Sequence, residues 1–147
     1  MKTISAGTYL PILQALILDG KTVCLNISGS SMAPFLIHQR DSVRLQRPEH
    51  PPISGDIVLY QRENGQFILH RIYRIKNGFY YMAGDNQTVL EGPVPPKQIF
   101  AVVTAVCRKG QWFKAEDPRW QFFAIFWRRM LHLRPIFLFI YTKLSKY

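Results

Sequence analysis

Between residues 21 and 114, short runs of alternating apolar and polar residues are separated by Gly, Pro and Asn. The runs span residues 22–27, 42–46, 56–61, 66–75, 79–83, 98–108 and 111–114. Asn64-Gly65 and Asn77-Gly78 each join two runs, and Asn-Gly pairs are strong hairpin signals. A period of two with such turns indicates antiparallel strands. The sequence therefore predicts a mainly β fold, a coiled antiparallel sheet or partly open barrel, and not a parallel α/β fold.

The β region is preceded by an uncharged stretch, residues 3–18, in which we expect a short helix over residues 9–18. The stretch is short for a membrane-spanning helix, and no small-residue cleavage site follows it. We therefore predict no cleavable signal peptide, with an uncleaved anchor as the alternative. Three parts are expected: an N-terminal helix at residues 1–20, a β domain at 21–116 and a helical tail at 117–147.

The positive charge of the chain is concentrated near its C-terminal end. Of a formal net charge of +10, residues 108–147 contribute nine basic and two acidic side chains, with eleven of the twenty aromatic residues. Such a composition suits nucleic acid or an anionic membrane surface. Two nearly apolar runs, residues 120–127 and 135–142, favour the membrane, although each is too short to span it. We expect residues 118–147 to contact an anionic membrane and expect no nucleic acid, so the protein would be peripheral to a membrane or cytoplasmic.

A helix start is signalled at Asp117-Pro118, where an N-cap residue is followed by proline at the first helical position. Pro135 predicts that this helix ends or kinks there and that a shorter one follows. Packing of both helices on the β domain is the alternative to membrane contact, and the sequence leaves the two open.

Two segments of the β region carry side chains that suit catalysis. Residues 28–34 form a Ser-rich turn after a strand, in which Gly29 permits a tight path that presents a hydroxyl with its own amide. On a predicted hairpin strand, His70 shares one face with Ile68 and Ile72. Burial there would lower its pKa and keep it neutral, as a general base requires. Taken singly, each segment has a plainer interpretation that composition favours, a linking turn and a core histidine.

Two acids follow, Asp85 in a Gly-Asp-Asn turn and Glu91 before a glycine. Either could orient the imidazole and stabilise its protonated form during acyl transfer. Each also has a plain interpretation, Asp85 as a turn former and Glu91 as an exposed loop acid. The two cysteines are far apart, and the four histidines lack metal-ligand spacing. We therefore expect no metal and no other cofactor.

Four short motifs follow one another through the β region. They are Ser-Gly-x-Ser-Met-x-Pro at residues 28–34, Gly-Asp-Ile-Val at 55–58, His-Arg-Ile at 70–72 and Gly-Asp-Asn at 84–86. In order and spacing this set resembles the signal peptidase I clan of serine peptidases, which also includes the self-cleaving repressors of the DNA-damage response. The combination outweighs the plainer interpretation of each motif alone.

The resemblance implies a role for each matching residue. Ser31, directly before Met32, falls on the nucleophile. His70 falls where bacterial signal peptidases have a lysine base and where the endoplasmic-reticulum and archaeal type has histidine, so the chain resembles a Ser-His variant. The orienting acid of that type lies near Glu91, with Asp85 as second candidate. The oxyanion and substrate-binding residues implied beside the nucleophile's own N–H are Ser28, Ser30 and Met32.

The predicted function is a serine endopeptidase of the signal peptidase I type that removes a signal or leader peptide from a precursor. The chain departs from the clan in showing no N-terminal membrane helix, and from its repressor branch in having histidine for lysine and no DNA-binding domain. One alternative is a non-catalytic adaptor that binds extended peptides on the same scaffold. Another is a nucleic-acid-binding protein that uses the basic tail.

Overall fold

The computed structural model describes residues 6–144, and within them one open, antiparallel, eight-stranded sheet dominates. The strands are β1 Val23–Asn26, β2 Ser42–Gln46, β3 Ile57–Gln61, β4 Phe67–Lys76, β5 Phe79–Ala83, β6 Glu91–Val94, β7 Ile99–Arg108 and β8 Gln111–Phe113. They are ordered β1-β2-β7-β3-β4-β5-β6, and β8 pairs with β7 beside this path. The predicted mainly β fold is confirmed.

Burial along the strands explains this order. In β2, Val43 and Leu45 are buried while their neighbours are half-buried, as expected for a strand with one face on the core. Most of β3 is buried on both faces because it lies centrally, between β7 and β4. The sheet therefore separates two cores, a large one that includes Phe35, Leu59 and Trp127, and a smaller one around Tyr60 and Ile72.

The strand β6 was not predicted. Glu91 was interpreted as a possible loop acid, and Pro93 with the two prolines that follow argues against a strand. The structure pairs β6 with β5 alone, at the end of the sheet. An edge strand tolerates a proline because one row of its backbone groups needs no partner.

The N-terminal helix α1 covers Ala6–Leu18, so the helix expected over residues 9–18 is present and begins earlier. Ile17 is fully buried in the large core and fixes the helix to the sheet. The start of the predicted uncharged stretch lies outside the described residues. Among residues 6–144, no helix is long and apolar enough to cross a membrane.

The tail is a chain of short helical pieces. Asp117 caps the first piece, α2 (Pro118–Gln121), as predicted: its carboxylate accepts the Arg119 backbone N–H at 2.9 Å. The predicted break falls earlier than expected, at Met130, and Pro135 lies in the first turn of the next helix. The pieces are α2 Pro118–Gln121, a π-helical turn Phe122–Trp127, a 3-10 turn Leu131–Leu133 and α3 Arg134–Leu144.

Packing on the β domain, one of the two alternatives for the tail, is observed for part of its side chains. Phe35 of the β domain contacts the rings of Trp120 and Phe123, with centroids 6.1 and 4.8 Å away. The tail therefore contributes to the large core. Other large apolar side chains of the tail remain exposed, among them Phe122, Ile125, Phe126, Ile136, Phe139 and Ile140.

Candidate active site

The serine loop, residues 28–34, leaves β1 through a turn that only glycine adopts easily. Gly29 has φ +87°, and its N–H donates to Nδ1 of His38 at 2.7 Å. Ser31 follows two residues later and is half-buried. His38 was not singled out from the sequence, because nothing in its surroundings there relates it to the turn.

Ser31 and His70 line the same cleft, whose volume is about 280 Å³. Ser28 and Met32 line it as well, whereas Ser30 is exposed and is not among the lining residues. The structure therefore brings four of the predicted site residues together. The apolar walls of the cleft are formed by Leu10, Leu25, Ile27, Leu59, Phe67 and Leu69.

His70 is held in an apolar setting and is only 5% exposed. The Tyr60 ring meets the imidazole edge-on, with centroids 6.4 Å apart. Burial lowers the pKa of His70 from 6.5 to about 4, although the nearby charge of Glu91 acts in the opposite direction. The imidazole is therefore neutral at pH 7. Within residues 6–144, its buried Nδ1 has no hydrogen-bond partner.

Asp85 is paired with Arg71 and accepts no hydrogen bond from His70 Nδ1. Both carboxylate oxygens accept from the Arg71 guanidinium at 2.9 Å, and both side chains are fully buried. Arg71 also donates to the Gly55 carbonyl at 2.8 Å. Strand geometry explains why Asp85 pairs with Arg71 and not with His70. The two residues are neighbours on β4, so their side chains point to opposite faces of the sheet.

The 84–87 turn supports the backbone at Ser31. The Asn86 N–H donates to the Ser31 carbonyl at 2.9 Å. Gly84 lies against Ser31 so closely that an added Cβ would overlap the same carbonyl oxygen. Together with the Arg71–Asp85 pair and the Gly55 carbonyl, these contacts join all four sequence motifs into one network.

Glu91 lies at the start of β6 and is paired with Arg62. The hydrogen bond from Arg62 lowers the pKa of Glu91, so this side chain is ionised at neutral pH. Glu91, Arg62 and His70 line a second cleft, and His70 is the one residue that it shares with the lining of the Ser31 cleft. Glu91 therefore acts on His70 through its charge and not through a hydrogen bond to Nδ1.

Sequence analysis missed the central role of Arg71. Its pairing with Asp85 was not predicted, although its place in the His-Arg-Ile motif and the alternation of the strand were available signals. No group of three or more His, Cys, Asp or Glu side chains within residues 6–144 is arranged to hold a metal ion.

A serine and a neutral histidine on one cleft are the side chains with which serine hydrolases form acyl-enzymes. A model of the family described as Peptidase S24-like matches residues 2–107, and the chain belongs to this family. The match includes the serine loop, β4 and the 84–87 turn, and it ends before the tail. No curated protein and no solved structure matches the chain. Family membership supports a peptidase-family function.

Proposed function

We propose that the protein is a serine endopeptidase of the signal peptidase I type that cleaves a signal or leader peptide from a precursor. The observation that carries the proposal is the presence of Ser31 and a buried, neutral His70 on one cleft, in a chain of a peptidase family. Ser31 is the nucleophile and His70 the general base.

The reaction follows the acyl-enzyme route. Ser31 Oγ attacks the carbonyl carbon of the scissile peptide bond while His70 takes the hydroxyl proton. The C–N bond breaks as His70 returns that proton to the leaving amine, and an ester on Ser31 remains. Water then attacks the ester, and its proton passes through His70 back to Ser31 Oγ. A neutral imidazole is required at the first step, and burial supplies it.

Two charges develop during these steps, a negative one on the oxyanion and a positive one on the imidazolium, and each is stabilised by residues of the site. The oxyanion is stabilised by the Ser31 N–H, helped by the Ser28 or Ser30 hydroxyl. Ser28 lines the cleft and is the better placed of the two. The imidazolium is stabilised by the charge of Glu91, which raises the pKa of His70. Asp85 has a supporting role through Arg71.

The substrate binds as an extended strand between two free strand edges. Within residues 6–144, strand β1 pairs only with β2, and residues 67–70 of β4 pair only with β3. Both edges line the cleft that holds Ser31. A peptide laid between them gains backbone hydrogen bonds, while the apolar pocket walls select small or apolar side chains.

We further propose that the tail holds the enzyme at an anionic membrane. In α3, the exposed Ile136, Phe139 and Ile140 have i, i+3, i+4 spacing and share one helix face. The same spacing recurs at Phe122, Ile125 and Phe126 in the π-helical turn, where Phe122 and Phe126 stack. With the excess of basic residues in this part of the chain, these two apolar triplets suit anionic headgroups and the acyl boundary below them.

The vesicle test compares two double variants. Ile136→Ser with Phe139→Ser should abolish co-sedimentation with phosphatidylserine vesicles, which wild type shows and which falls with salt. The control, Ile53→Ser with Val89→Ser, removes equally exposed apolar side chains from the β domain and should bind as wild type does. Equal binding to neutral phosphatidylcholine vesicles, or none to either kind, would refute the docking.

The catalytic proposal is tested with a fluorophosphonate probe, which phosphonylates activated serines with loss of fluoride. Wild type should be labelled at Ser31, as located by mass spectrometry, and Ser31→Ala should not be labelled. Ser54→Ala, which removes another half-buried hydroxyl that does not line the cleft, is the matched control and should keep its label at Ser31.

The second candidate function is the non-catalytic peptide-binding adaptor, which the lack of a hydrogen-bond partner on His70 Nδ1 favours. The adaptor predicts no labelling of wild type by the probe. It also predicts that a peptide bound in the cleft is recovered intact.

A further inference from the structure

The tail lies outside the part of the chain that the peptidase family model matches, yet it reaches the 84–87 turn. Arg134, the first residue of α3, is fully buried. Its guanidinium donates to the carbonyls of Gln87 at 2.9 Å and Gly84 at 3.3 Å. It also donates to the Trp127 carbonyl at 3.0 Å, so that a single side chain closes the tail onto the turn.

A second contact joins the same two segments. The indole Nε1–H of Trp127 donates to the Asp85 carbonyl at 2.8 Å. Three carbonyls of one turn therefore accept hydrogen bonds from two tail side chains. The Arg134 guanidinium also lies over the rings of Tyr73 and Trp127, at 4.8 and 5.2 Å from their centroids, which fixes its position further.

The other side of the turn contacts the nucleophile. The Asn86 N–H donates to the Ser31 carbonyl, and Gly84 lies directly against Ser31. The turn is therefore held between the tail and the serine loop, and a displacement of the turn would move the backbone that carries Ser31. A buried arginine whose described hydrogen bonds all go to backbone carbonyls is costly, unless its donors are needed to fix that backbone.

We infer that Arg134 and Trp127 are positioning residues for Ser31, and that the tail thereby completes the active site from outside the family domain. Neither side chain is among the residues that line the Ser31 cleft, so neither is a catalytic residue. The inference rests on the proposed function, since an acylation rate exists only if Ser31 is a nucleophile. Misplacement of a reacting group by about 1 Å is enough to lower a rate about 100-fold.

The test uses the full chain and two variants of graded severity. Arg134→Gln removes the charge and most of the donors, whereas Trp127→Phe removes only the indole N–H and keeps an aromatic ring. The matched controls are Arg74→Gln, an exposed arginine over the Tyr81 ring, and Trp112→Phe, an exposed tryptophan under Arg44.

The first readout is the reaction of Ser31 with a fluorophosphonate. We expect the maximal rate of phosphonylation to fall about 10- to 100-fold in Arg134→Gln and several-fold in Trp127→Phe. The half-saturating probe concentration should stay unchanged, and all molecules should react in the end. Loss of folded protein would instead reduce the fraction that reacts. Both controls should react as wild type does.

The second readout needs no activity. Hydrogen exchange of the Asn86 amide should become about 10-fold faster in both variants, while the Gly65 amide, which donates to the Arg62 carbonyl, should be unchanged. Asn86 exchange equal to wild type overturns the inference, and so does a wild-type phosphonylation rate in both variants. If wild type itself fails to react, the proposed function has failed, and Asn86 exchange alone decides whether the tail holds the turn.

Discussion

Two acids, Glu91 and Asp85, act on His70 through their charge; each is paired with an arginine, and the two pairs differ in burial. The Asp85–Arg71 pair is fully buried, whereas the Glu91 and Arg62 side chains are 32% and 33% exposed. Asp85 is bound by two parallel hydrogen bonds to one guanidinium and belongs to the framework that supports Ser31. Glu91 is partly exposed to solvent, and its charge favours the protonated form of the His70 imidazole. Asp85 is therefore the acid that supports the fold, and Glu91 is the acid whose charge acts on His70 from a partly exposed position.

The buried pair gives the largest expected change in stability. Asp85→Asn removes the charge that compensates Arg71 in a fully buried site, and breaking such a pair costs about 3–5 kcal/mol. The free energy of unfolding, measured by urea denaturation, should fall by that amount. A loss below about 1 kcal/mol would show that the two pairs are equivalent and would contradict the comparison.

The burial of His70 predicts a dependence of stability on pH. Its pKa is about 4 in the folded chain and 6.5 when exposed, so below pH 6.5 the unfolded chain binds the proton more readily. Above pH 6.5 this difference does not lower the free energy of unfolding. As the pH falls from 6.5 towards 4, the free energy of unfolding decreases by about 3 kcal/mol in all.

Denaturation at several pH values checks this slope in wild type and in His70→Ala, where it should be smaller. His50→Ala, which removes an exposed histidine, should keep the wild-type slope. An unchanged slope in His70→Ala would mean that burial does not lower the pKa of His70 in the folded chain.

Glu91 gives the smallest expected change in stability. Glu91→Gln should alter the free energy of unfolding by less than about 1 kcal/mol, because the pair with Arg62 is partly exposed. It should lower the pKa of His70, since the charge that raises it is gone. Nuclear magnetic resonance titration of the imidazole measures this shift. A rise in the pKa of His70 would assign Glu91 the opposite electrostatic role.

Much of the fold could be predicted because strand alternation and Asn-Gly turns are local signals. β6 was missed because Pro93 argues against a strand unless the strand is known to lie at an edge. In the site, the four motifs identified Ser31 and His70 as candidates. The partner of Asp85 depends on a contact between β4 and a distant turn, which residue types alone leave open.

Arg134 illustrates a limit of a different kind. A basic residue between two apolar runs is expected to be solvated, and its sequence neighbours gave no sign of burial. Only the packing of α3 against the 84–87 turn provides the three carbonyl acceptors that make burial possible. The tail was therefore predicted as a separate functional region, whereas its Trp127 and Arg134 side chains hold the 84–87 turn.

The central claim is that buried His70 removes the proton of Ser31. Its most direct test is the rate at which a fluorophosphonate phosphonylates Ser31 in His70→Ala, measured at pH 7 beside wild type, with Ser31→Ala as the unreactive reference. General-base catalysis contributes about 10²- to 10⁴-fold. The account predicts that the rate of His70→Ala falls at least about 100-fold while the fold is retained. A His70→Ala variant whose Ser31 is phosphonylated at the wild-type rate would contradict it.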